Sequence, residues 1–495
     1  KEATETDALL LTAVDTNADD VEQAVTKAKA TPLKSSPLPF PTTYAAEAWD
    51  TISLSIPIFV SSLSWVGKTT TDTALLGHVS SDALAAAALS DLYTMTTSVL
   101  VQGRVLGILV GQAVGAGNHK LAGVYLQVSL VILGSLLIPV IVSWWFTSEV
   151  WKSFGEPEDL YKMAGTYAKI LAIALPGRVV SSQVSQFFSA QRIMHPEVNA
   201  SVAGLVTNLA LGLVLVLGVG IPGFDGYGFV ACPSVTTVVV YAQFVFMWYV
   251  YIHRARLHAP AWGGVSWKEL TRERMTIYAK LYFPSALSTA SDFWRMAVIG
   301  GMAAKIGDND VAVFNASYRI FWISLTLSGA ISSASGIKMG MAFGSGDHVG
   351  AKRAAAVGIG VVIAILIIVS IAIASRIRLF GEIFTDDDVL LDIFEEMRYP
   401  FVFALFFMNL ATSLERIPMA MGRTSDIFWA GLFGSWLGQV PAVFLFTEYW
   451  SDDISGLYMG VFVGYLFLAI LLGVMTARSD FKYYAEKALE RVEAA

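Results

Sequence analysis

The sequence predicts an all-α integral membrane protein of twelve transmembrane helices, arranged as two six-helix lobes related by a pseudo-twofold axis. Three observations predict it. Of 495 residues, 55% are hydrophobic and only 15% charged, against about 25% charged in an ordinary soluble protein, and the mean hydropathy is +0.59. A water-soluble fold of this length cannot hide so much apolar surface. Twelve apolar runs reach the length, about 20 residues, that crosses a bilayer. One pattern also recurs at a fixed spacing, as described below. The single cysteine, Cys232, removes any internal disulfide and any Cys-based metal site. A net charge of −7 with dispersed Lys and Arg argues against nucleic-acid partners.

The elements follow in order. Residues 1–48 are polar and acidic, end in Pro37, Pro39 and Pro41, and read as a disordered cytoplasmic tail without a secretory signal pattern. Spans are expected at 50–76, 82–108, 121–147, 163–189, 199–219 and 227–252, forming an N-terminal lobe over 49–252. A cytoplasmic linker covers 253–275. Spans at 276–302, 311–337, 354–375, 399–421, 427–446 and 456–477 form a second lobe over 276–478, and 479–495 reads as a cytoplasmic tail. The third and ninth spans hold no Asp, Glu, Lys or Arg.

Orientation follows from the excess of Lys and Arg on cytoplasmic connections. With both termini cytoplasmic, the inner side holds Lys120, Arg192, Arg254, Arg256, Lys268, Arg272, Arg274, Lys352, Arg353 and Arg423, and four more basic residues in the C-terminal tail. The outer side holds only Lys152, Lys162, Lys305, Arg376, Arg378 and Arg398, beside the acidic Asp386, Asp387 and Asp388. The membrane is expected to be the plasma membrane or an organellar one such as the vacuole.

The repeat is the most informative pattern. The segment from Gly111 through Gln112, Ala113, Gly115 and Gly117 to His119 returns as Gly340, Met341, Ala342, Gly344, Gly346 and His348, 229 residues on. Pro57 and Pro284 lie 227 apart, and Gly228 and Gly456 lie 228 apart. Two blocks of six spans share one membrane orientation and an axis along the membrane normal. Two such bundles can rock about a central site, the geometry of alternating access; the plainer alternative is simply a larger bundle. The Gly-rich segments are expected to hold spans two and three, and eight and nine, together at the cytoplasmic face.

A charge at the bilayer centre costs at least about 2.5–3.5 kcal/mol, so each needs a partner, water or a role. Asp292 in span seven lies eight residues past Pro284, about 12 Å along the helix. It reads as a cation-coupling carboxylate, or as a structural ion pair with Arg295 three positions on. Asp72 in span one reads as a second coupling acid, or as a salt bridge with Lys68 at i−4. Glu415 in span ten is the third acid, or a residue snorkelling to the interface. Arg178 and Arg319 are further cations within spans; with Asn208 they are expected to line the substrate cleft, or else to pair and orient helices. Trp294 and Tyr318 stand close to these charges in sequence and could face an organic cation, although aromatics at helical spacing usually pack. No Walker A or zinc-protease motif occurs. The run Gly218-Val219-Gly220-Ile221-Pro222-Gly223 fits a dinucleotide pattern, but without a preceding strand it reads as a turn.

These residues resemble the multidrug and toxic compound extrusion family of secondary antiporters, from about residue 50 to 490. The resemblance is carried by Thr71-Asp72-Thr73 with Gly77, Gly111-Gln112-Ala113 with Gly115-Ala116, Gly123-Val124-Tyr125-Leu126-Gln127, Val206-Thr207-Asn208-Leu209, Pro284-Ser285-Ala286-Leu287 and Ser332-Ser333-Ala334-Ser335. It implies a transporter rather than an enzyme. The implied activity is export of organic cations or other amphiphiles driven by H⁺ or Na⁺, with no cofactor and the chain acting as a monomer in the bilayer. Asp292 and Asp72 match the family's acids in spans seven and one, and Asn208 matches the partner of the latter. Where some members carry a further acid in span five this chain has Gly212. The span-ten acid falls on Met408 or Asn409, and Glu415, two turns on, is expected to substitute for it. A lipid-linked intermediate flippase is the alternative that Arg104, Arg178 and Arg319 leave open.

Overall fold

The computed structural model describes residues 41–495, and every regular element among them is helical. Twelve long helices match the twelve expected spans. They are α1 (Tyr44–Val79), α2 (Ser81–Gly115), α3 (His119–Trp145), α4 (Glu158–Ser189), α5 (His195–Leu215), α6 (Gly228–Arg254), α7 (Arg272–Ile306), α8 (Asp308–Gly344), α9 (His348–Ser375), α10 (Arg398–Ala420), α11 (Thr424–Tyr449) and α12 (Ile454–Ala477). Nine of them are long and apolar enough on composition alone to cross a membrane. The other three, α1, α4 and α7, are the ones that carry Lys68 and Asp72, Arg178, and Asp292 and Arg295. Residues 44–48, expected as tail, already belong to α1, and the rest of that tail before residue 41 lies outside the described residues.

Local chemistry sets the helix ends. Thr43, Asn118, Thr271, Asp347 and Asp453 each turn a side-chain oxygen onto a first-turn backbone N–H, satisfying a donor that has no partner inside the helix. Gly117 and Gly346, equivalent in the repeat, both sit at φ +76 just past α2 and α8, a left-handed position where a side chain would be strained. The run around Gly218 is a turn, with Gly218, Gly220 and Gly223 all at positive φ.

The two Gly-rich segments meet each other. A Cβ at Gly115 would strike the Met341 carbonyl, and one at Gly344 would strike the Gln112 carbonyl. Gln112 and Met341 are repeat equivalents, as are Gly115 and Gly344, so the two contacts are reciprocal, as a twofold axis requires. Gly111 and Gly340 face one another on that axis, a Cβ on Gly111 lying 3.7 Å from the Gly340 backbone. The expectation that these segments join neighbouring spans within each lobe is therefore corrected. They cross α2 over α8, between the lobes, because only residues without side chains let two backbones approach so closely. Gly115→Val should cost about 3 kcal/mol or more, since a carbonyl cannot move aside as a side chain can. Gly107→Ala, with open space around its Cβ position, is the tolerated control. Thermal unfolding in detergent reads both, and an unchanged midpoint for Gly115→Val would refute the packing.

Span two is not one continuous helix. Residues 102–105 are non-helical, between a 3₁₀ turn at Val99–Val101 and the half-helix Leu106–Gly115. The freed carbonyls are recaptured: Gly103 O accepts from Gln183 Nε2 at 3.2 Å and from Gln186 Nε2 at 2.5 Å, and Leu100 O accepts from the Tyr282 hydroxyl. Irregular backbone at membrane depth persists only where it is buried in protein or lines a cavity.

Every hydrogen bond and ion pair between the lobes among the described residues falls at or to one side of this break, the side that carries Tyr44 and Ala495. Lys338 of α8, fully buried, lies 2.6 Å from Glu47 Oε1 and 2.7 Å from Asp50 Oδ2 of α1, and Asp50 also pairs with Arg192. Gln112 Nε2 donates to Ala420 O at 3.0 Å. The segment 479–495, expected as a tail, contains a further helix, α13 (Phe481–Glu493). It buries Ala485 and Ala488 against the second lobe and Val492 against the first. The linker is pinned to α3, where Gln127 bonds both Gly264 O and Ser266 N and Gly123 leaves room for the Ala261 carbonyl. Among the described residues the lobes are clasped on one face and joined by no hydrogen bond or ion pair on the other.

Candidate functional site

Two groups of charges lie within the membrane-spanning helices, one built on each lobe. In the first lobe, Asp72 accepts from Asn208 Nδ2 at 3.2 Å and from Thr236 Oγ1 at 2.8 Å. Lys68 does not pair with Asp72 as its spacing suggested; its Nζ donates to Gln243 Oε1 at 3.0 Å. Gln243 reaches that place because Gly204 has no side chain to block it. Gly212, where an acid was looked for, is packed by a Leu75 methyl 2.4 Å from where its Cβ would stand. Arg178 lies within range of the charges of both Asp72 and Asp91 without touching either, so the cluster contains two cations and two acids.

The second group is built on α7. Arg295 is 2% exposed and holds Asp292 at 3.0 Å, whereas Asp292 itself is 46% accessible. The guanidinium also bonds Ser435 Oγ and, at 2.9 Å, the Tyr465 hydroxyl, and lies 5.2 Å from the centre of that ring. Ser435 belongs to a π-helical stretch, Leu432–Gln439, that widens the middle of α11, a departure from α-helix common at functional sites. Tyr318 is near enough to Arg295 to interact with its charge and stacks on Phe314 at 5.9 Å. From α10, Glu415 comes within range of Asp292, Arg295 and Arg416. From the other lobe, Arg104 projects from the break in α2 into the same field.

The structure therefore brings Asp292, Glu415 and Tyr318 into one cluster, and Asp72, Asn208 and Arg178 into another. It does not bring Trp294 to Asp292. Two residues apart on a helix is about 200° of rotation, and Trp294 lies on the opposite, outward face, 45% exposed. Arg319 is exposed and makes no hydrogen bond or ion pair among the described residues. Asn409, one of the two positions where the span-ten acid was sought, is fully buried and bonded to Ser324 and Ser328, tying α10 to α8. Asp91, Thr236, Gln243, Arg416, Ser435 and Tyr465 were not anticipated. Only Asp91 and Arg416 carried a signal in the sequence, a charge inside an apolar run; the others become visible through their partners.

The sequence pattern of the MatE family matches residues 57–214 and 284–445, one stretch in each lobe. Protein DETOXIFICATION 37 of Arabidopsis thaliana is 24% identical over 84% of this chain and 82% of its own length. Multidrug and toxin extrusion protein 1 of Danio rerio is 23% identical over 91% and 75%, and a probable multidrug resistance protein NorM of Photorhabdus laumondii is 23% identical over 85% and 94%. The crystal structure of the eukaryotic MATE transporter AtDTX14 superposes with a TM-score of 0.82 at 21% identity, covering 91% of this chain and 99% of that one. An outward-facing MATE transporter of the MOP superfamily superposes with a TM-score of 0.79 at 18% identity, covering 87% and 95%.

Proposed function

We propose, from the premise that this chain belongs to the MatE family of multidrug and toxin extrusion transporters, that it exports an amphiphilic organic molecule in exchange for H⁺ or Na⁺. It is a multi-pass membrane transporter and not an enzyme, and the family favours efflux over lipid-linked flipping. The carrying observation is that the hydrogen bonds and ion pairs between the lobes, among the described residues, gather on one side, while Asp292, 46% accessible, stays open beside its sealed partner Arg295. In this reading the space between the lobes opens to the face away from Tyr44 and Ala495. Rocking about the α2–α8 crossing would close that face and open the clasped one.

In this reading Asp292 and Glu415 carry the driving cation, and Asp72 with Asn208 serves a secondary site. A substrate bearing a positive charge lowers their affinity for H⁺ or Na⁺, and the driving cation expels the substrate by the same competition. Exchange requires that the two ligands exclude one another and that the lobes rock only when one of them is bound. Both chain ends are assigned to the cytoplasm, from the distribution of Lys and Arg. Purified protein in liposomes, loaded with a fluorescent organic cation and given a pH or Na⁺ gradient in turn, tests this. One gradient should drive uphill dye movement and the other should not; movement indifferent to both would overturn exchange.

A further inference from the structure

The connection between α6 and α7 frames a pocket that the exchange reaction does not use. It measures about 370 Å³, within the range of about 300–1,000 Å³ typical of small-molecule sites. Its lining comes from the end of α6, through Trp248, Ile252 and His253, and from the linker, through Arg256, His258 and Trp262. No Asp or Glu lines it. Local structure builds this wall. The last turns of α6, Trp248–Arg254, are π-helical, and His253 stacks there on both Trp248, at 5.6 Å, and Tyr249, at 5.9 Å. The chain then turns at Arg256, whose φ of +51 is uncommon for a residue with a side chain. His258 stands edge-on to Trp262 at 6.3 Å, and its Nδ1 is buried with no hydrogen-bond partner among the described residues, an unmet polar atom in the pocket wall. Trp262 is held in place, because the Ala261 carbonyl and the Trp262 backbone pack where Gly123 of α3 has no side chain.

Position and charge narrow the occupant. Trp248 and Tyr249 are 47% and 49% exposed in the closing turns of a span, where spans carry the aromatic belt of the membrane surface. Arg256 is exposed at that level and its side chain makes no hydrogen bond or ion pair among the described residues. A group that meets a lipid headgroup has to stay open in this way. Its planar fork of donors suits phosphate oxygens, basic residues just beyond a span attract anionic lipids, and Ile252 with the two indoles offers an apolar surface for the glycerol and the first methylenes. We infer that this pocket binds the headgroup of an anionic phospholipid from the leaflet on the clasped side. Arg256 holds the phosphate, His258 adds a bond through Nδ1, and Trp248 and Trp262 flank the glycerol. The site lies on the linker and is independent of what the transporter carries.

Native mass spectrometry of the full chain in detergent, titrated with dioleoyl phosphatidylglycerol and separately with dioleoyl phosphatidylcholine, tests this. The first phosphatidylglycerol should bind about tenfold tighter than the first phosphatidylcholine, the scale of one charge-assisted pair. Arg256→Asn removes the charge with a residue that accepts left-handed backbone, and should bring that ratio toward one. His258→Phe keeps a ring against Trp262 and should lower the ratio partway. Arg376→Gln, at an exposed arginine past the far end of α9, should leave it unchanged. A wild-type ratio near one overturns the inference, and so does a ratio that survives both Arg256→Asn and His258→Phe. An equal loss in Arg376→Gln would also overturn it, by showing a general charge effect. Excess glycerol phosphate should fail to displace the lipid; displacement would make this a site for a soluble phosphate ester and overturn the lipid assignment.

Discussion

Asp292→Asn should lose gradient-driven transport by roughly a hundredfold, equivalent to about 2.7 kcal/mol of coupling, while still binding substrate. The amide is almost isosteric and can still accept from Arg295, so the α7–α11–α12 contacts through Ser435 and Tyr465 remain in place. What it cannot do is bind and release a cation. The pair geometry makes Asp292 the sensitive member. Its partner is sealed in protein, whereas its own carboxylate is 46% accessible, so one face is anchored and the other is free to exchange. Glu415→Gln should cost less, because Asp292 remains. Transport rates across a pH series check both. Full coupled transport in Asp292→Asn, with an unchanged pH dependence, would remove this residue from the exchange and leave Arg295 and Asp292 as a structural pair.

Lys338→Met should destabilise the protein by about 3–5 kcal/mol, the cost of leaving buried charges unpaired. Among the described residues Lys338 is the sole cation in contact with Glu47, and it shares Asp50 with Arg192. Met fills the volume but leaves the Glu47 carboxylate dry and alone. The double variant Lys338→Met with Glu47→Gln should recover part of the loss, because removing both partners of a buried pair costs less than removing one. Thermal unfolding in detergent measures the two. The same lock joins α1 to α8 on the clasped face, so a weakened lock should also shift the population toward the state open on that side. A Lys338→Met protein as stable as the wild type would show that this network holds nothing together.

The two lobe interfaces that repeat symmetry makes equivalent are built differently. Between α1 and α8 the contact is ionic, through Lys338. Between α2 and α7 it is aromatic: the Tyr282 ring lies 2.7 Å from where a Gly103 Cβ would stand, and Tyr278 stacks on Tyr282 at 5.8 Å. A Gly103→Ala substitution should therefore disturb the second interface alone, an effect seen as lower thermal stability with the Lys338 network intact.

Membrane class, helix number and duplication were legible without coordinates, because hydrocarbon imposes a length and a polarity on each span and a repeat copies its glycines with it. The acids of spans one, seven and ten were legible for the same reason, since a charge in an apolar run stands out. What the acids touch was not. The spacing of Lys68 and Asp72 suggested a pair, but Gln243 and Thr236, more than 160 positions away, outcompete it. Trp294 stood next to Asp292 in sequence and lies on the opposite face in space. The glycines that read as ends of neighbouring helices prove to be the crossing point of the lobes.

The chain alone determined how many times it crosses the bilayer and that its two halves are copies, because both are properties of segments read one at a time. Only the tertiary structure decided which segments touch, that the polar contacts between the lobes among the described residues gather on one side, and that Lys68 and Asp72 take separate partners. Those facts depend on groups brought together from distant helices, and no local pattern of hydropathy or spacing records which distant group will arrive.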